Sequence, residues 1–378
     1  MKTRPLLTAA GSGLLMALLP LSVQAADIQV LEDVVHPEQA IKKKMELYGA
    51  LRMSVDYVDS DVTDAQADTS PLLSDGGIGV SSNTTMIGFR GEVPYSEDYT
   101  FLWQYEQQVD MDDTDGNDVW TTRDSFLGLG TPIGTFLVGR INTPFKNMGV
   151  SYLGYFNTTV ADTHAILGAP SAGAGGRLDL LGSNSLNWKF RLAGVNVALQ
   201  YAADQAGSVN SADDNDRDSS SIWLDWKRGG LQLSSAYIHY SDFATTGSLD
   251  AWRVFAKYKF SVFTLGAIYE DISPDNFASL DREAYGLQAL YTVAPRWNLA
   301  AQWNHAEESE VGDDEADQYS VGVFHSLSDS VLLHAMYTVT QNGDNAAYRG
   351  VDYAHGDKVG TLAGNDPWAL SVGAQLKF

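Results

Sequence analysis

The sequence predicts an all-β chain that closes into a 16-stranded antiparallel transmembrane β-barrel. Three observations carry this. Period-two alternation of apolar and polar residues fills most of residues 45–378, short turns alternate with long polar connections, and the apolar faces carry Trp, Tyr and Phe opposite faces with Arg, Lys and Glu. A soluble sandwich would have to seal those charged faces into its core and find a partner for each. A closed barrel turns them toward water, shows lipid its apolar face and leaves no unpaired strand edge.

Residues 45–57 alternate most cleanly. Met45, Leu47, Gly49, Leu51, Met53, Val55 and Tyr57 share one face, and Glu46, Tyr48, Ala50, Arg52, Ser54 and Asp56 the other. A helix would mix the two sets. Tyr99, Phe101, Trp103 and Tyr105 repeat the pattern, as do Leu186, Trp188, Phe190 and Leu192, then Trp252, Val254, Tyr258 and Phe260. Strands are expected to start near residues 45, 84, 99, 119, 134, 185, 195, 220, 231, 250, 263, 283, 297, 317, 331 and 367. Those near 220, 231 and 317 alternate least cleanly. Tight turns fall at Pro94–Asp98, Ala193–Gly194, Lys227–Gly230, Ser261–Val262, Ala294–Arg296 and Leu327–Ser330. Long polar segments fall at 59–83, 203–219, 271–282, 307–316 and 342–366. One rim is therefore short and the other long.

The N-terminus points to export. Lys2 and Arg4 precede the apolar run Leu6–Leu19, and Val23 and Ala25 fit a small-residue cleavage site. Residues 1–25 are expected to be a signal peptide, since the run is short for a membrane span. Residues 26–44 lack alternation and read as a short periplasmic arm, leaving 45–378 as the barrel. There is no cysteine, which excludes a disulfide framework and cysteine-ligated metal. The net charge of −24 would repel nucleic acid. No His-Glu-x-x-His, Gly-x-Ser-x-Gly or phosphate-cradling loop occurs, so no enzyme, metal or cofactor is expected. A catalytic barrel rim assembled from scattered His, Ser and Asp stays open as a rival.

Acidic clusters stand at Asp110–Asp118, Asp213–Asp218 and Glu307–Asp317. They read either as divalent-cation sites or as solvated, like-charged loops. The solvated reading is favoured, since Gly116 is misplaced for a calcium-binding loop.

Several segments together resemble the Gram-negative trimeric porins: Tyr48-Gly49, Ile87-Gly88-Phe89-Arg90-Gly91, Trp103 to Glu106, Arg123-Asp124-Ser125-Phe126-Leu127-Gly128-Leu129, Gly139-Arg140, Asn184-Ser185 and the terminal Phe378. The resemblance implies a homotrimer in the outer membrane, in contact with lipid and lipopolysaccharide. It implies delivery by the barrel-assembly machinery and passage of small hydrophilic solutes. It also implies a third loop folded into the lumen, here 143–184, facing basic wall residues. Carried over residue by residue, the wall candidates are Arg123, Lys189, Arg191, Arg90 and Arg52. The loop candidates are Asp162, His164, Tyr152 and Tyr155, with Asp179 near the loop's end. Met86 stands where relatives commonly carry arginine, and the loop is poor in acids, so a weak transverse field is expected. A channel selective for sugars or organic acids is the alternative.

Overall fold

A computed structural model describes residues 44–112, 120–169, 178–203, 218–243, 247–275 and 281–378. The expected signal peptide, most of the N-terminal arm and much of the first two acidic clusters lie outside these residues. Strands β1 (Lys44–Asp59), β2 (Asp75–Ser82), β3 (Met86–Pro94), β4 (Thr100–Val109), β5 (Trp120–Thr122), β6 (Ser125–Thr131) and β7 (Gly134–Asn142) form the first part of the wall. After loop 3 come β8 (Leu181–Leu192), β9 (Val195–Ala202), β10 (Ser219–Arg228), β11 (Leu231–Tyr240), β12 (Leu249–Phe260) and β13 (Phe263–Pro274). The wall ends with β14 (Arg282–Ala294), β15 (Trp297–Ala306), β16 (Ala316–Ser326), β17 (Val331–Asn342) and β18 (Trp368–Lys377). Helix α1 (Asp64–Ala67) lies in the first loop and α2 (Pro144–Leu153) in the third.

Every pairing is antiparallel, and β18 pairs back onto β1, from Ala50 opposite Lys377 to Asp59 opposite Trp368. Both β2 and β3 pair with β1, and β5 and β6 both pair with β4. Each couple is one wall strand broken by a bulge, so the barrel is 16-stranded. The second wall strand starts at Asp75 rather than near residue 84. Glycines 76, 77 and 79 hide its alternation, and its pairing with the long β1 supplies what local propensity lacks.

The lipid face is apolar with an aromatic girdle at each end. At the short-turn rim Phe263 stacks on Tyr291 at 4.9 Å, and Phe136 on Trp188 at 5.6 Å. At the long-loop rim Trp252 meets Tyr269 at 4.9 Å, and Tyr57 meets Trp368 at 5.2 Å. Ala193 (φ 50°) and Gly194 (φ 84°) show why the short turns are tight: both adopt the left-handed conformation that suits a two-residue hairpin.

The interior is not uniformly polar. Along β10–β18 the inward positions include Ala236, Ile238, Phe255, Ile268, Phe324 and Ala369, all buried beneath loops 3 and 8. The strands near 220, 231 and 317 alternate poorly for this reason: their inward face packs against protein as well as facing water.

The closing seam is tight. Gly49 and Phe378 exchange backbone hydrogen bonds of 3.0 and 3.2 Å. A Cβ at Gly49 would stand 2.6 Å from the Phe378 ring and 2.8 Å from the Met86 carbonyl oxygen. Gly49→Val should destabilise the folded barrel by about 2 kcal/mol, the usual cost of overpacking. The check is the temperature at which the protein loses its folded gel mobility, which should fall below that of wild type.

Candidate functional site

Loop 3 occupies residues 143–180. Thr143 caps α2, its hydroxyl accepting from Lys146 N at 3.2 Å, and Pro144 supplies a helix-ready φ. Phe145, Met148, Tyr152, Leu167 and Leu178 then merge with the apolar inner faces of β11–β14. Tyr152 lies against two glycines. A Cβ at Gly266 would reach its ring at 3.2 Å, and one at Gly286 its hydroxyl at 3.0 Å. Gly149 brings the helix down onto charged groups, since a Cβ there would stand 2.6 Å from His164 Nε2 and 2.9 Å from Arg253 Nη1.

Those groups form a closed network. Arg253, fully buried on β12, grips Asp179 through Nη1 at 2.5 Å and Nη2 at 2.7 Å. Its Nε bonds Glu270 of β13, whose other oxygen accepts from Gly168 N at 2.6 Å. His164 meets Asp162 Oδ1 at 3.0 Å and Asp179 Oδ1 at 3.4 Å. Burial alone would lower the His164 imidazole, but Asp179 and Asp162 outweigh it and raise it to about 9. Burial works against ionisation of Asp179 as well, yet Arg253 and His164 hold its carboxyl well below the usual range. The loop acids are thus matched by cations inside the loop–wall contact.

The opposite wall carries the other charges. At Asn83–Thr85 the Thr85 hydroxyl takes over ladder bonds, accepting from Arg52 N at 2.9 Å and donating to Arg52 O at 3.0 Å. This bulge lets Arg52 Nη1 donate to Thr84 O at 2.6 Å. At Arg123–Asp124 a second break turns Arg123 toward Glu106, 2.9 Å away, and Tyr48 donates to the same carboxylate at 2.9 Å. Arg90 pairs with Glu46 at 2.9 Å and lies 4.8 Å over the Tyr48 ring. Lys146 of loop 3 adds a further charge, lowered to about 8 by burial and by Arg123.

A second loop turns inward. Residues 343–367 cross the mouth and meet loop 3, where Tyr353 donates to Asp179 O at 3.0 Å and its ring lies 4.4 Å from that of His164, tilted by 36°. Tyr353 holds a left-handed φ of 57°, and Lys358 bonds its carbonyl and that of His355. Gly356 N donates to Asn83 Oδ1 at 3.0 Å, and His355 Nε2 meets Asp56 at 3.0 Å. Loop 8 therefore bridges the bulged wall and loop 3.

The sequence-derived residues divide accordingly. Arg52 and Arg123 come together on the wall, while Arg90 sits beside Glu46 toward the short-turn rim. Lys189 and Arg191 lie nearer the short-turn rim, on the same inner surface. Asp162, His164 and Tyr152 are about 1% exposed and fasten the loop instead of lining the passage. Tyr155 is partly covered, accepting from Asn298 Nδ2 at 3.2 Å, with its ring 4.8 Å from Phe324. Arg253, Glu270, Lys146 and Tyr353 were not foreseen. The only signal was Arg253 on the polar face of its strand, one cation among several.

Arg253→Met should free loop 3, because breaking a buried pair leaves Asp179 and Glu270 uncompensated at about 3–5 kcal/mol. Larger single-channel steps and new protease cleavage within 143–180 are the readouts. The His164 value lies above the ordinary 6.5, so its attraction is complete below that pH and is lost as pH rises through about 9. Open-channel noise should grow across that window. His164→Asn, which cannot carry the charge, should show the extra noise already at neutral pH.

Comparison with known proteins agrees with this geometry. The family model described as Gram-negative porin matches residues 11–345. The major outer membrane protein P.IB of Neisseria meningitidis serogroup A is 25% identical over 297 residues, covering 71% of this chain and 80% of that protein. The anion-selective porin from Comamonas acidovorans superposes with a TM-score of 0.73 at 19% identity, covering 89% of this chain and 100% of that one. The trimer form of in-vitro-folded OmpT from Vibrio cholerae gives 0.65 at 15% identity, over 89% and 99%. A barrel with an inward third loop, matched along most of its length by that family model, belongs to the Gram-negative porin family and forms a water-filled outer-membrane channel for passive diffusion of ions and small hydrophilic solutes.

Proposed function

We propose that this porin favours small anions at its narrowest level. The observation that carries the reading is the internal neutralisation of Asp162 and Asp179 by His164 and Arg253. Arg52, Arg123 and Lys146 then outnumber the neighbouring Glu106, which pairs with Arg123 on the same wall, and Asp124, a surplus of cations among the described residues. Acidic outer loops concentrate cations at the mouth, but the field that sorts ions acts where the passage is tightest and least screened. The gradient drives transport, so the reading calls for neither catalyst nor cofactor.

The same proposal takes residues 1–25 as the signal peptide, 26–44 as a periplasmic arm and Phe378 as the mark read by the barrel-assembly machinery. A homotrimer in outer-membrane lipid and lipopolysaccharide is supported by the trimer form of the Vibrio cholerae relative.

The test is the reversal potential of the refolded protein in a planar bilayer under a KCl gradient. Wild type should prefer chloride. Arg52→Gln and Arg123→Gln should each lower the chloride preference by about threefold, on the order of one RT of screened charge. Cation preference in wild type, or reversal potentials unmoved by both substitutions, would sink the reading.

A further inference from the structure

The short-turn half of the lumen holds a cavity of about 790 Å³ whose chemistry is not that of a plain water channel. On its wall, Leu102 of β4 stands opposite Gly128 of β6, which stands opposite Leu137 of β7. Phe126 lies one step along β6, opposite Gln104. Gly128 makes this surface possible. A Cβ there would strike Leu137 Cδ2 at 2.5 Å, so the glycine lets the leucine lie flat across its strand. Leu102 and Phe126 are only partly covered and belong to none of the apolar clusters beneath loops 3 and 8. Helix α2 of loop 3 packs against β9–β12, and the apolar clusters of the loop lie on β11–β17.

Cations flank the patch. Arg90 is paired across to Gln104 on one side. On the other, Lys189 stands opposite Thr135 and forms no ion pair among the described residues, with Arg191 next on the same face. Lys44, Arg90, Lys189, Arg191 and Lys227 outnumber Glu46, Glu92 and Asp225 in the cavity lining, with Arg90 held by Glu46, so an apolar, partly aromatic surface about two strand spacings wide (roughly 10 Å) beside the Lys189–Arg191 column matches an anion with an apolar body. Chloride uses only the charge, and a sugar needs polar partners the patch does not offer.

We propose that this vestibule is a binding site for amphipathic organic anions, aromatic or medium-chain carboxylates, whose carboxylate meets Lys189 and whose body lies on Phe126 and Leu102, backed by the buried Leu137. This deepens the anion-favouring reading and rests on it. Burying a ring or several methylenes on such a surface should give benzoate and hexanoate at least about a tenfold advantage over acetate.

The experiment is current block in planar bilayers carrying the full protein, with acetate, hexanoate, benzoate or neutral benzamide added on the short-turn side. Half-block by benzoate and hexanoate should occur at about a tenth of the acetate concentration or less. Phe126→Ser should erase most of the benzoate advantage while leaving the chloride preference unchanged. Lys189→Gln should weaken block by every carboxylate and leave benzamide unaffected. Equal block by benzoate and acetate, or a benzoate advantage that survives Phe126→Ser, would overturn the site. Chloride preference measured before blocker is added keeps the two readings apart: an anion-preferring channel without selective block defeats only the vestibule site, and a cation-preferring one defeats the reading beneath it.

Discussion

The buried contact between Arg253 and Asp179 governs the rest of the lumen. A guanidinium and carboxylates removed from water are tolerated only when each is matched and hydrogen-bonded. Here Arg253 is shared between Asp179 and Glu270, Asp179 is shared with His164, and His164 with Asp162. The network fixes loop 3 at one place on the wall. It also withdraws Asp162 and Asp179 from the passage, which is what the proposed role of the opposite wall rests on.

That wall is shaped by two breaks in otherwise regular strands. Both bulges fall where Arg52 and Arg123 emerge, and in each a side-chain or displaced backbone group replaces part of the ladder. Bulges bend a strand and re-aim its side chains. Arg52 itself keeps the alternation of the unbroken β1, and the bulge opposite it supplies the Thr84 carbonyl that its guanidinium meets, whereas Arg123 stands at its own strand's break. Loop 8 adds the third side. It ties Asn83 of the first bulge to Asp179 of loop 3 through Gly356 and Tyr353, so wall, loop 3 and loop 8 hold one another.

The interior is therefore divided. From β10 to β18 much of it is buried against the inward loops, in apolar clusters and among polar groups such as Gln302 and Gln318, while β3 to β9 are less covered. A barrel of this size leaves a lumen too wide for wall side chains alone to fill. Inserted loops fill part of it, and their apolar undersides require apolar wall positions such as Ile238, Phe255 and Phe324.

The strand count, the closure, the lipid face and the two unequal rims were legible in the sequence, because each rests on local alternation and turn chemistry. Strand starts agree with the structure within a few residues except at Asp75, where glycines mask a strand that long-range pairing with β1 restores. Arg52, Arg90 and Arg123 were legible as wall cations because strand parity places them on the water face. The roles of Asp162, His164 and Tyr152 were not. A loop residue's partners are set by where the loop lands, and that landing depends on Arg253, Glu270, Gly149 and Gly286, contributed by loop 3 itself and three separate strands. The sequence by itself determined a membrane barrel with a long third loop. Only the tertiary structure decided which charges are spent holding that loop and which remain for solutes, since pairing across a buried contact depends on distance in space and leaves no period along the chain.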